Sequence, residues 1–161
     1  MNNKGFTLVE LLAVIVIVVI ITLLTNAGVN ALQKGVNQSI WNSNKSLIET
    51  SAAKFGSDRL EQLKDLTTKC TIDNKEYNHC MQIKVNKLIE KGYLKTKDKV
   101  EYEGNTMKVV INPTIEKDES TNINFNNGYY VNEKMVYIYV INEPITPQSI
   151  KVIIIITITS A

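Results

Sequence analysis

Lys4-Gly5-Phe6-Thr7-Leu8-Val9-Glu10, followed without interruption by the apolar residues Leu11 to Ile21, dictates how the rest of the chain must be arranged. Phe6 to Leu24 is 19 residues, of which only Thr7, Glu10 and Thr22 are polar. At ~1.5 Å per residue a helix over this run is roughly 28 Å long, close to the ~30 Å hydrocarbon core of a bilayer. A single membrane span is therefore expected over 6–26. Lys4 and the α-amino group flank its short side, so the positive-inside rule keeps that end cytoplasmic and exports everything after Leu24.

Glu10 is the anomaly. A carboxylate inside a membrane helix is costly and calls for a neutralising partner, yet no cation stands within the span. Cleavage after Gly5 would make Phe6 a new amino terminus, whose ammonium is expected to pair with Glu10 of a neighbouring copy. Such a pair staggers identical helices in an assembly. A secretory signal peptide cut near Thr25-Asn26-Ala27 and a plain single-pass anchor are the alternatives; a charged residue in a signal peptide's apolar region is unusual, and this run is long for one.

The run Lys4-Gly5-Phe6-Thr7-Leu8-Val9-Glu10-Leu11 resembles the prepilin peptidase site of type IV pilins and type II secretion pseudopilins. The resemblance covers about the first 24 residues. It implies cleavage between Gly5 and Phe6, N-methylation of Phe6 and a role for Glu10 in assembly. It departs from many Gram-negative pilins late in the helix, where a kinking Pro is replaced by Asn26-Ala27-Gly28, which makes Gly28 the expected place for a bend. The segment Ile83 to Leu94 also resembles one found in Gram-positive pilins, less specifically.

With 161 residues, 44% of them hydrophobic, the chain has material for one modest head beyond the anchor. A formal net charge of +2 gives no global case for nucleic acid. Cys70 and Cys80 both fall in the exported part, where a disulfide is expected in an oxidising compartment, free thiols or a metal site being the alternatives.

Past the span, Leu32, Val36, Ile40, Leu47, Ile48, Ser51 and Phe55 recur at helical intervals, so one helix is expected from Phe6 to Phe55 with Gly56 as its C-cap and Trp41 packing at the stripe's edge. Ser57-Asp58 with Glu61 resembles a capping box for a short helix through Leu60, Leu63 and Leu66, and Asn86 is placed to cap another before Gly92. Residues 71–79 form a polar loop. From Lys99 the period switches to two, giving an expected hairpin about Gly104-Asn105, strands over Thr121–Phe125, Tyr129–Val131 and Met135–Ile141, and a buried last strand over Val152–Ile158. The fold class expected is α+β: a long amino-terminal helix laid on a carboxy-terminal antiparallel sheet. The corresponding segments are a leader (1–5), the assembly helix (6–26), its amphipathic half (27–56), a loop region with short helices and the disulfide (57–98), and the sheet (99–161).

Catalytic chemistry is thinly supplied. His79 is the sole histidine, and its spacing to Cys70, Asp73, Glu76 and Cys80 fits no zinc pattern. Asp118, Ser120, Asn122, Asn124 and Asn126 have the spacing that begins a calcium loop, but Ile123 and Tyr129 stand where Gly and Glu are needed, which favours a solvated strand face. There is no Gly-rich phosphate loop or nucleophile elbow, so no cofactor and no enzyme activity are expected. Lys84, Lys87, Lys91, Lys95, Lys97 and Lys99 form a basic surface relieved only by Glu90 and Asp98. Their ordinary role is a solvated face; DNA binding, with Tyr93 and Tyr102 as stacking faces, is the functional alternative, and Glu116, Asp118 and Glu119 an acidic counterpart on a neighbouring subunit.

The family resemblance implies a filament subunit with several partners: further copies of itself, the prepilin peptidase, an assembly ATPase with its platform protein, minor pilins, and membrane lipid before assembly. Its implied location is the cell membrane, with the amino terminus inside, and then a surface pilus serving motility, adhesion or DNA uptake. A pseudopilin of a secretion or competence system, and a tethered binding module that never assembles, are the rival expectations.

Overall fold

The computed structural model describes residues 7–117, 125 and 127–154, without the side chains of 23–27. The chain divides into two compact units, Met1–Asn37 and Gln38–Ala161, and helix α1 (Leu8–Ser57) contributes residues to both. Its helical backbone continues through Asn26-Ala27-Gly28. The architecture is the expected α+β class, a long amino-terminal helix packed against antiparallel sheet.

From Leu11 to Ile21 α1 is apolar on all sides. Its large hydrophobic side chains from Leu8 to Ile21 are 48–80% exposed, and Leu32 and Val36 further along are exposed as well. The many Val and Ile residues here are only moderate helix formers in water, and a helix hydrophobic all round needs an apolar medium or packed neighbours.

In the second unit the helix becomes one-sided. Trp41, Ile48, Ser51, Ala52 and Phe55 are buried, whereas Ile40 and Leu47 stay 41% and 45% exposed. The expected stripe is thereby corrected. At 3.6 residues per turn Ile40 and Leu47 sit about 100° round the helix from Trp41 and Ile48, and only the latter pair faces the core. Gly56 is not the C-cap but lies within the helix, where a Cβ would come 2.7 Å from Ile138 Cγ2. Glycine at that point permits close approach to the sheet.

The short helix α2 (Leu60–Asp65) has Arg59 at its N-cap with no side-chain cap bond, so the expected Ser57-Asp58 capping box does not form. The expected polar loop over 71–79 instead lies largely within a hairpin, β1 (Cys70–Ile72) and β2 (Lys75–Tyr77), turned at Asp73 and Asn74 with φ of 49° and 62°. Next come strand β3 (Met81–Lys84) and helix α3 (Val85–Glu90). Asn86 does not cap α3; its amide donates to Glu90 Oε1 at 2.8 Å. Gly92, at φ +77°, follows the helix end as expected.

Strands β4 (Lys99–Tyr102) and β5 (Asn105–Lys108) form the expected hairpin, with the turn one residue earlier, on Glu103 (φ 50°) and Gly104 (φ 76°). Two consecutive positive φ values are what a two-residue type I′ turn requires. Strand β6 (Met135–Val140) matches expectation, and β7 (Ile150–Ile154) begins two residues before the expected strand, whose end lies outside the described residues. Residues 121–124 of the expected Thr121–Phe125 strand also lie outside them. The Tyr129–Val131 strand reduces to a single bridge, Ile111 to Tyr130.

The expected single sheet divides into three: β1-β2, β4-β5 and the antiparallel β3-β6-β7. β3 comes from the 57–98 segment and pairs with β6 from Met81↔Ile138 to Lys84↔Met135. Four residues are too few for periodicity to announce a strand. On β6, Val136, Ile138 and Val140 share a core with Trp41, Ile48, Ala52 and Phe55 of α1. Tyr137 and Tyr139 alternate to the other face, where with Ile153 they pack on Cys70, Ile72 and Cys80. β6 is thus the strand covered on both faces. Beyond β5, Val109 and Val110 remain buried because Asn132, itself 1% exposed, replaces strand hydrogen bonding: its Oδ1 accepts from the Val110 N–H at 3.0 Å and its Nδ2 donates to the Lys108 carbonyl at 2.9 Å.

Candidate functional site

The first turn of α1 is closed by a reciprocal pair that sequence reasoning overlooked. The Glu10 carboxylate, through Oε2, accepts from the Thr7 backbone N–H at 2.9 Å and from Thr7 Oγ1 at 2.8 Å, while the Glu10 N–H donates to Thr7 Oγ1 at 3.3 Å. This is a capping box, which satisfies amides that a helix start leaves without partners. Its signal, Thr-x-x-Glu ahead of an apolar run, was legible. Glu10 therefore has a polar partner within its own chain, in addition to any it meets between chains. Gly5 and Phe6 lie outside the described residues.

Among the described residues no helix is long and apolar enough to cross a membrane. The described side chains of the expected 6–26 span run from Thr7 to Thr22, ~24 Å of helix. Near the end of this stretch Thr22 Oγ1 donates to the Val18 carbonyl at 2.7 Å, which keeps the hydroxyl satisfied against the helix.

In the second unit Cys70 and Cys80 are bonded, with Cα atoms 5.8 Å apart. Cys80 N–H donates to the Thr68 carbonyl at 2.9 Å, and beside the bridge the Tyr77 and Tyr139 rings pack with centroids 4.4 Å apart and planes tilted by 50°. Burial, then Tyr77 and Asp73, push the Tyr139 hydroxyl above the ordinary phenol range. His79 Nε2 lies 3.8 Å from Glu143, and among the described residues no group of three or more His, Cys, Asp or Glu is placed to hold a metal ion. The calcium-like residues Asp118, Ser120, Asn122, Asn124 and Asn126 lie outside the described residues.

A family model described as the prokaryotic N-terminal methylation motif matches residues 1–25. The chain carries this motif, the hallmark of type IV pilins and pseudopilins. It is pilin-like in that motif and in its α+β build, and the motif's family is structural rather than catalytic. The motif fits a membrane-anchored precursor processed by prepilin peptidase and assembled with other pilins. No curated protein and no solved structure matches the chain.

The basic surface of this pilin-like chain is not uniform. Lys84 pairs with Glu133 and Lys87 with Glu90, each at 2.6 Å. Lys91, Lys95, Lys97 and Lys99 are exposed, and none of them has a carboxylate within ion-pair distance among the described residues. Tyr93 is not a free stacking face: its ring packs edge-on to Phe55 at 5.2 Å and its hydroxyl donates to Asp58 at 2.9 Å. Tyr102 packs against Phe125 at 5.7 Å. Of the acidic counterpart, Glu116 is exposed, and Asp118 and Glu119 lie outside the described residues.

Proposed function

We propose that this chain is a structural subunit of a type IV pilus or related filament. The observation that carries the proposal is the methylation motif over residues 1–25, joined to a helix whose large apolar side chains are exposed all round. An exposed apolar surface of this extent needs lipid or other copies of the same helix.

In this proposal the precursor is held in the membrane with its amino terminus inside, cleaved between Gly5 and Phe6, and methylated on Phe6. Glu10 sets register. Its Oε2 is already occupied by Thr7, which leaves Oε1 to receive the Phe6 ammonium of a neighbouring subunit. An assembly ATPase acting through a platform protein draws subunits out of the bilayer, and contacts between helices replace contacts with lipid. Cys70 and Cys80 brace the head. A pseudopilin of a secretion or competence system shares every one of these steps and differs in filament length and purpose.

The test is mass spectrometry of the mature amino-terminal peptide from native cell surfaces. A methylated Phe6 start is expected. An intact Met1, or a start near Gly28, overturns the proposal in favour of a plain anchor or a signal peptide.

A further inference from the structure

We propose that strand β4 is a docking edge for a second copy of this chain, which pairs with it antiparallel across a two-fold axis through Val100. β4 and β5 form a sheet of two strands that belongs wholly to the second unit. The Val109 N–H donates to the Asp98 carbonyl at 3.0 Å, and the register runs on from there through Val100↔Met107 to Tyr102↔Asn105. Bonding residues alternate along an antiparallel strand, so Asp98, Val100 and Tyr102 turn their backbone groups towards β5, whereas Lys99 and Glu101 turn theirs to the outer edge. No strand pairs with that edge among the described residues. An open edge of this kind is a template for another strand.

The side chains select a second copy as that strand. On one face of β4 and its flanks the alternate residues are Lys97, Lys99, Glu101 and Glu103, all exposed. Natural edges are commonly blunted by charges that repel their own kind. Here two cations are followed by two anions, and the sign reverses about Val100. An antiparallel copy centred on Val100 sets Lys99 opposite the second copy's Glu101 and Lys97 opposite its Glu103, and symmetry repeats both pairs. Centring on Lys99 or Glu101 would set like charges face to face on the axis, a parallel copy in register would do so at every position, and a one-residue slip would turn the two sets of side chains to opposite faces.

These four charges have no other counterpart in the chain. None has an oppositely charged group within ion-pair distance among the described residues. Glu101 Oε1 accepts from Thr106 Oγ1 at 2.7 Å and Glu103 from the Tyr102 hydroxyl, neutral partners that leave both charges in place. On β5 the residue directly opposite Lys99 is Lys108, a like charge that disfavours the pair. The second copy supplies the anion that β5 does not. Such a contact is isologous and closed, so it joins two chains and stops there, independently of filament assembly. One short strand buries little surface, which makes the pair a matter of high local concentration and leaves the dilute chain a monomer.

The test crosslinks the full chain in a zwitterionic detergent. Across the axis the two copies of Val100 meet at a non-hydrogen-bonded position, where Cα atoms lie ~4.5 Å apart, within the range of a disulfide. With Cys70 and Cys80 already bonded, Val100→Cys should give a covalent dimer under mild oxidation on a non-reducing gel, whereas Asn105→Cys, exposed but off the axis, should not. In the Val100→Cys background, K97E/K99E and E101K/E103K should each crosslink about tenfold or more slowly, because four opposite-charge pairs become four like-charge pairs. Mixing these two variants should restore the dimer, as should the full swap K97E/K99E/E101K/E103K, which keeps the wild-type net charge. Sedimentation at high protein concentration, without the added cysteine, should show the same order of association, and circular dichroism checks that each variant is folded. No dimer by either readout, equal crosslinking through Asn105→Cys, charge reversals without effect, or a mixture and a swap that both fail to recover would each overturn the inference.

Discussion

Glu10 has two separable properties, a hydrogen-bonding shape that closes the first turn of α1 and a negative charge, which in the proposed assembly meets the ammonium of a neighbouring copy. Glu10→Gln keeps an acceptor for Thr7 but removes the charge, whereas Glu10→Ala removes both. If the charge sets register, both variants insert into the membrane and neither yields filaments by electron microscopy. Amide exchange at residues 8–11 should rise strongly in Glu10→Ala and little in Glu10→Gln. Filaments from Glu10→Gln at wild-type yield would leave Glu10 with a capping role alone. Gly56 makes its argument by space. An Ala there places a Cβ 2.7 Å from the Cγ2 of Ile138, which is itself fully buried and cannot swing away. Overpacking of ~1–3 kcal/mol exceeds the ~1 kcal/mol that Ala gains over Gly in a helix, so Gly56→Ala should lower the urea midpoint. Gly35→Ala, which meets nothing within 4 Å, should not lower it.

At the scale of elements, the β1-β2 hairpin depends on its bridge more than on its own pairing. Two three-residue strands are marginal in water, and this pair is held by Cys70 and Cys80 against Tyr137, Tyr139 and Ile153 of the larger sheet. Closing a loop of ten residues' separation stabilises by ~2.5–3 kcal/mol in the chain-entropy model. The double variant Cys70→Ser, Cys80→Ser should lose about that much in urea unfolding, and reductant should shift wild type by a similar amount. An unchanged midpoint would place the hairpin's stability in its aromatic packing instead. The β4-β5 hairpin shows a different economy. Its turn residues Glu103 and Gly104 fix the register locally, and Asn132 ties down the chain beyond it through the Val110 N–H and the Lys108 carbonyl.

At the scale of the whole molecule, the hydrophobic core from Trp41 to Ile154 belongs to the second unit. A chain starting at Gln38 should therefore be soluble, oxidise Cys70 to Cys80 and unfold cooperatively, because it retains every buried residue of that core while shedding the exposed apolar helix. Monomeric behaviour on gel filtration with a single unfolding transition is the expected result. Aggregation, or a disulfide that fails to form, would mean that residues before Gln38 are needed for the head to fold.

The extent to which the sequence was legible follows from the range of the forces involved. The amino-terminal motif, the long helix, the Gly92 stop and the β6 strand could be read directly, because each rests on local chemistry: an unbroken apolar run, a residue suited to positive φ, alternation over six residues. The same holds for the α+β class, set by the order of helical and alternating periods. Strand β3, the division into three sheets, the buried face centred on Trp41 and Ile48, and the use of Gly56 as a contact could not be read. Each depends on which distant segment arrives against it, and periodicity records only that a face is apolar, not what will cover it. The basic residues divide on the same line. Sequence supplied six lysines in a row of near neighbours, but only the packing of Tyr93 on Phe55 decided that Lys91 and Lys95 would stand beside Lys54, and only the approach of Glu133 from 49 residues away decided that Lys84 would be neutralised.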